Sequence, residues 1–177
     1  MTILRAAGRV ALPWKNGGGV TREVAVWPPG ADFDTFDWRV SIAEVSGAGP
    51  FSHFAGIDRT LAILEGRMAL AFADRAVELD AQSPPLAFAG DVPCCGTPIG
   101  GAVTDLNVMT RRGRCTARVE RARSGSTTHG RTLIVAPAAT AIRIGTQTQS
   151  LDRYDAAMID GGAGFSADGM VFVIRMD

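Results

Sequence analysis

The sequence predicts an all-β protein made of two related β-halves. Three observations carry that expectation. Apolar and polar residues alternate with a period of two through most of the chain. Clusters such as Pro28-Pro29-Gly30, Pro84-Pro85 and Gly161-Gly162 punctuate the alternating runs. No long segment has clear helical periodicity. Many short strands joined by turns suit a sandwich or a barrel.

The runs are justified in chain order. In VTREVAVW, Val20, Arg22, Val24 and Val26 are expected on one face, with Thr21, Glu23, Ala25 and Trp27 on the other. In DWRVSIAEV, Trp38, Val40 and Ile42 oppose Arg39, Ser41 and Ala43. RTLAILEGRMALAF reads as strand, Glu-Gly turn, strand. AVTDLNVMT sets Val103, Asp105, Asn107 and Met109 against Leu106 and Val108, and MVFVIRM supplies a strong strand near the end. Ahead of the first run stand Gly17, Gly18 and Gly19, expected to form a bulge or a close approach where the strand enters a barrel. They are not a phosphate loop, because no Lys-Ser or Lys-Thr follows and the next residues are strand formers.

A faint repeat supports two halves. RTLAILEGRMALAFADRAVELD begins at Arg59 and RTLIVAPAATAIRIGTQTQSLD at Arg131, an offset of 72 positions. Arg-Thr-Leu opens both stretches, and Leu79-Asp80 and Leu151-Asp152 close them. Apolar sites coincide at Ile63 and Val135, Leu70 and Ile142, and Phe72 and Ile144.

Composition excludes several classes. The 177 residues carry 18 Lys and Arg against 18 Asp and Glu, so there is no basic excess for general nucleic-acid binding. Arg111, Arg112 and Arg114 read as a solvated turn. No apolar run has the length of a membrane span, and the N-terminus lacks a continuous apolar leader. Cys94, Cys95 and Cys115 make neither a disulfide framework nor a zinc ribbon, so a reduced cytoplasmic protein is expected. His53 and His129 lack ligand spacing, and no metal or other cofactor is expected. Ser41 is outside any nucleophile elbow, no feature activates a cysteine, and no catalytic residue is assigned.

A polar set on strand faces remains. Arg39 and Ser41 alternate together, as do Asp105 and Asn107. Burying such groups costs free energy unless they pair with one another or with a ligand. A concave site with Lys15, Asn16, Arg39, Ser41 and Asn107 would suit a small carboxylate or amide, because Arg grips carboxylates through two hydrogen bonds. The alternation equally admits the reverse, with Trp38, Val40 and Ile42 as core and the polar face outward. Arg22–Glu23 and Asp58–Arg59 read as structural ion pairs, and Glu44 as the one nearby carboxylate for acid–base work.

PWKNGGGVTREVA, FDWRVSIAEV, GPFSHFAGIDRTLAILEG, FAGD and DLNVM occur in this order, and together they resemble the HutD/Ves family. The resemblance implies a bicupin, two fused β-barrel or jelly-roll-like halves without the usual cupin metal ligands. It implies an N-terminal half, 1–112, with the ligand pocket, and a degenerate C-terminal half, 113–177, packed with it as one compact unit. It implies a regulatory or accessory role in bacterial histidine utilisation and binding of a small anionic metabolite, urocanate or a formylated or formimino glutamate. By motif, the ligand-binding candidates are Lys15, Asn16, Arg22, Arg39, Ser41, Asp58, Arg59 and Asn107, joined by Glu44 from the strand reading. No nucleic-acid or membrane partner is expected, and a homodimer is left open. Two alternatives stand beside this: a cupin isomerase or epimerase using Glu44 with Lys15, and a protein-interaction module.

Overall fold

A computed structural model describes residues 1–14, 17–127 and 130–177. Among the described residues there are seventeen strands and no helix. They are β1 (Thr2–Leu4), β2 (Ala11–Pro13), β3 (Gly19–Trp27), β4 (Trp38–Val45), β5 (Gly49–Pro50) and β6 (Ile57–Glu65). There follow β7 (Arg67–Phe72), β8 (Ala76–Asp80), β9 (Leu86–Ala89), β10 (Cys94–Pro98) and β11 (Val103–Arg111). The chain ends with β12 (Ala117–Ser126), β13 (Arg131–Val135), β14 (Thr140–Ile144), β15 (Gln147–Leu151), β16 (Ala156–Asp160) and β17 (Gly164–Met176). All recorded pairings are antiparallel.

The chain divides into two compact units, Val10–Arg114 and Met1–Arg9 with Cys115–Asp177. In the first, a six-stranded sheet runs β2-β3-β4-β11-β6-β9 and a four-stranded sheet runs β5-β10-β7-β8. Their inner faces meet in one core: Ala43, Val45, Leu61, Ile63 and Val103 from the larger sheet, Met68, Leu70, Leu79 and Cys94 from the smaller. Side chains from opposed sheets thus close a barrel-like interior. Gly66 makes the one-residue turn from β6 to β7 with φ 81°, and a Cβ there would lie 2.8 Å from the Ala102 carbonyl oxygen. Only glycine meets both demands.

The second unit is a seven-stranded sheet, β1-β16-β13-β17-β14-β15, with β12 also on β17. Its core is aliphatic and aromatic: Ile134, Ala136, Ile142, Leu151, Ile159, Phe165, Val171 and Val173. Asp155 holds the N-terminal segment to this unit. Its carboxylate accepts from the Ala6 amide (2.6 Å), Arg5 Nη1 (2.7 Å) and the Asp152 amide (3.0 Å).

The two units repeat one topology. β6 pairs with β9 and β11 and leads into β7, which pairs with β8 and β10. β13 pairs with β16 and β17 and leads into β14, which pairs with β15 and β17. The offset of 72 is correct for β7–β8 against β14–β15, where Leu70 and Ile142, and Leu79 and Leu151, are core residues of their own units. It is wrong by one residue for β6 against β13. Leu61 and Ile63 belong to the interior cluster of their unit, whereas in the second unit Ile134 and Ala136 belong to the interior cluster and Leu133 and Val135, though also fully buried, lie on the other face of the strand. One residue joins β6 to β7, and four separate β13 from β14, so an ungapped match cannot keep both strands in register. Arg131, which the match sets against Arg59, therefore lies on the face opposite Ile134 and pairs with Asp160 at 2.7 Å.

Strict alternation also fails in β3. The ladder to β4 shifts between Glu23 and Ala25. This bulge transfers Val26 to the face of Glu23, where it lies opposite Arg39. The expected common face of Val20, Arg22, Val24 and Val26 is thus broken.

The glycines ahead of β3 do allow a close approach. A Cβ on Gly19 would lie 2.7 Å from the Glu44 carbonyl oxygen and 3.1 Å from the Trp14 ring. The Gly18 carbonyl accepts from the Ser46 amide at 3.0 Å. Trp14 itself packs on the core and donates Nε1–H to Thr21 Oγ1 at 2.8 Å.

Candidate functional site

β4 is buried on both faces except at Glu44. The face of Arg39 and Ser41 also carries Ala43 and Val45, which belong to the interior core of the Val10–Arg114 unit. Arg39 and Ser41 therefore point inward. The ladders extend this face across the sheet. Glu23 of β3 lies opposite Ser41, Ser41 opposite Asn107 of β11, and Asn107 opposite Leu61 of β6. In the neighbouring row Arg39 lies opposite Met109, and Met109 opposite Arg59. The two arginines are thus two strand spacings apart, about 9–10 Å between backbones.

Both are buried, Arg39 at 7% and Arg59 at 5% exposure. Arg39 Nε–H donates to Glu23 Oε2 at 2.8 Å, and its guanidinium lies 4.6 Å from the Phe33 ring centroid. Arg59 Nε–H donates to Asn107 Oδ1 at 3.4 Å and Nη1–H to the Ser52 carbonyl at 3.3 Å. Phe51, Phe54 and Phe88 surround this guanidinium at 4.8, 5.8 and 5.5 Å. Phe33 stacks on Phe54 with centroids 5.4 Å apart, so an aromatic bridge joins the two cations. Each such cation–ring contact contributes about 0.5–2 kcal/mol. The rings replace water around the guanidinium groups, and among the described residues the hydrogen bonds engage one N–H of Arg39 and two of Arg59 out of five each.

The electrostatics follow from this burial. Loss of solvent lowers Arg59 to about 10, with Asp105 and Cys94 pulling the other way. Asp105, 2% exposed, shares the inward face with Asn107 two residues along β11. Burial raises its carboxyl to about 7, and Arg59 opposes that rise. Burial likewise raises the Cys94 thiol.

The structure brings together Arg39, Ser41, Arg59 and Asn107. Arg22, Glu44 and Asp58 lie elsewhere. Arg22 Nη1 and Glu44 Oε1 form an exposed pair at 2.6 Å, with Glu44 on the Trp38 face. Asp58 pairs with Arg112 at 2.7 Å. Lys15, Asn16 and His129 lie outside the described residues. The expected neighbour pairs Arg22–Glu23 and Asp58–Arg59 are not formed, because successive strand residues point to opposite faces. Glu23 binds Arg39 and Arg59 turns inward instead. Glu23, Asp105 and the four phenylalanines were not among the sequence candidates. Only Asp105 had a readable signal, its shared alternation with Asn107.

Other features are structural. Arg111 donates to the Phe36 and Asp34 carbonyls, Arg112 binds Asp58 and Asp91, and Arg114 binds Asp37. The expected solvated turn is present at residues 112–114, with Arg112 and Arg114 exposed, and these bonds also tie it to neighbouring loops. His53 is exposed, and among the described residues no cluster of three His, Cys, Asp or Glu side chains could hold a metal. The second unit has an open cleft of about 540 Å³ over Phe165, edged by Ser124, Ser166 and exposed Arg143. No helix among the described residues is long and apolar enough to cross a membrane.

The chain is 40% identical over 119 residues to Protein Ves of Citrobacter koseri, covering 66% of this chain and 61% of that protein. The match thus spans less than two thirds of Ves. A 21.2 kDa protein of Pseudomonas putida, from the hutC 3′ region, is 31% identical over 173 residues, covering 91% of this chain and 87% of that one. The crystal structure of HutD from Pseudomonas fluorescens SBW25 superposes with a TM-score of 0.87 at 28% identity, over 99% of this chain and 97% of that one. The 7S globulin of Momordica charantia shares the bicupin fold alone, with a TM-score of 0.63 at 5% identity over 98% of this chain and 83% of that one. A family model described as HutD matches residues 6–173. On this near-complete match the chain belongs to the HutD family.

Proposed function

We propose that the Val10–Arg114 unit binds a small anionic metabolite and that the protein is a regulatory or accessory component of histidine utilisation. One observation carries the binding reading: two buried arginines, Arg39 and Arg59, share an inward sheet face with Ser41 and Asn107. Desolvated guanidinium groups whose donors are mostly unengaged among the described residues favour a carboxylate, which accepts two N–H bonds from one arginine. The hut context of the Pseudomonas putida relative directs the choice of ligand to urocanate and formylglutamate-like compounds. Lys15 and Asn16 remain candidates by motif.

A ligand that binds only the folded state raises the melting temperature in a saturable way. Urocanate or N-formyl-L-glutamate is expected to do so. Arg39→Ala is expected to weaken the affinity about 10–100-fold while the protein stays folded, the size of a charge-assisted hydrogen-bond pair. Absence of any shift at millimolar concentration of either compound overturns the reading. Glu44, at 57% side-chain exposure and paired with Arg22, does not favour the acid–base alternative.

A further inference from the structure

Among the described residues, Arg39, Arg59 and Asp105 are the buried arginine and carboxyl side chains of the Val10–Arg114 unit, and Glu23, with its side chain 39% exposed, reaches solvent beside Arg39. Glu23, Arg39, Arg59 and Asp105 come from four strands, β3, β4, β6 and β11, and face the same interior. Two buried cations thus meet one buried carboxyl and one partly exposed carboxylate. Glu23 is bonded to Arg39. Arg59 directs its hydrogen bonds to Asn107 and the Ser52 carbonyl, and Asp105 feels it through space. With Asp105 ionised, a carboxylate entering beside Arg59 would set two negative charges against that one guanidinium, since Arg39 is already paired with Glu23. A poorly solvated interior opposes that strongly.

We propose that Asp105 is the proton-accepting counter-group of this site, so that an anion bound beside Arg59 enters together with one proton, which Asp105 takes up from solvent. The inference rests on the anion-binding reading above. The proton attaches to a carboxylate oxygen of Asp105 and offsets the one carboxylate seated beside Arg59, and no other bond changes. Among the described residues, Arg59 from β6 is the charged group that acts on Asp105; Arg39 from β4 and Glu23 from β3 share its sheet face two to four residues farther along, and Cys94 from β10 belongs to the facing core. Cys94 is held as the neutral thiol, because burial raises it. Asp105 is the group poised near neutrality, since burial already holds its carboxyl at about 7. A second negative charge nearby raises it further.

The test is isothermal titration of the full chain with N-formyl-L-glutamate and with urocanate from pH 7 to 8.5, in two buffers of different ionisation enthalpy. Affinity is expected to fall up to about tenfold per pH unit, with a buffer-dependent heat matching uptake of one proton. Asp105→Asn is expected to bind with nearly constant affinity over that range. A carboxyl-carbon NMR titration of the unmutated chain gives an independent reading, with the Asp105 midpoint rising by about one pH unit or more when ligand is added. Binding with a flat pH profile and no buffer dependence, or an Asp105 midpoint unmoved by ligand, overturns this inference and leaves the binding reading standing. Failure of both compounds to bind overturns both.

Discussion

Asp105→Asn should make the free protein more stable at neutral pH, and the size follows from where the carboxyl sits. Its pKa is raised from 3.8 to about 7 by burial. Below pH 4 the group carries its proton in both folded and unfolded chains, so it costs nothing. Between pH 4 and 7 the unfolded chain releases the proton and the folded chain keeps it. Stability therefore falls as pH rises through this window, by up to about 1.4 kcal/mol per pH unit. Above about pH 7 the full penalty is present, about 4 kcal/mol at most and about 2–4 after local relaxation. Asparagine has nearly the same shape and does not titrate. Urea unfolding of both proteins at half-unit steps from pH 4 to 8.5 should show the variant gaining on the parent through the window and holding its lead above it. Curves parallel within about 0.5 kcal/mol would mean that Asp105 ionises freely. The interior would then be well solvated, and the electrostatic argument for this site would fail.

Other changes are expected to act through packing or exposed pairs. Gly19→Ala should destabilise by about 1–3 kcal/mol in urea unfolding, because the new methyl meets the Glu44 carbonyl at 2.7 Å and the Trp14 ring at 3.1 Å. Asp155→Ala should cost about 2–4 kcal/mol and speed amide exchange in β1, since it removes the acceptor for Ala6, Arg5 and Asp152. Asp155 is pushed up by burial but carried below the ordinary value by these hydrogen bonds, so its contribution is present above about pH 4 and is lost as pH falls. Glu44→Gln breaks only an exposed pair with Arg22, and calorimetry should find affinity within about twofold of the parent and stability within about 1 kcal/mol.

Much of the architecture was legible because it is local. Alternation marks β3, β4, β6, β7, β11 and the end of β17, and Gly66 marks a turn that only glycine fits. The repeat marked β7–β8 and β14–β15 as equivalent, through Leu70, Ile142, Leu79 and Leu151. It failed in β13 for a reason invisible without coordinates: the connection to β14 is longer than the single Gly66, and one residue of slip inverts every side chain. The bulge between Glu23 and Ala25 had no compositional marker either.

By itself the sequence determined that Arg39 and Ser41 share one face of a strand and Trp38, Val40 and Ile42 the other. A period of two fixes parity along a single strand and nothing more. It could not say which face turns inward, because β4 buries both. Only the tertiary structure decided that, by setting Ala43 and Val45 into the interior core and bringing Arg59, Asn107 and Asp105 onto the face of Arg39. Those residues are 20 to 68 positions from Arg39 along the chain. Their meeting depends on ladder register and on loops that carry Phe33, Phe51 and Phe54 to the guanidinium groups, a long-range outcome that no local pattern encodes.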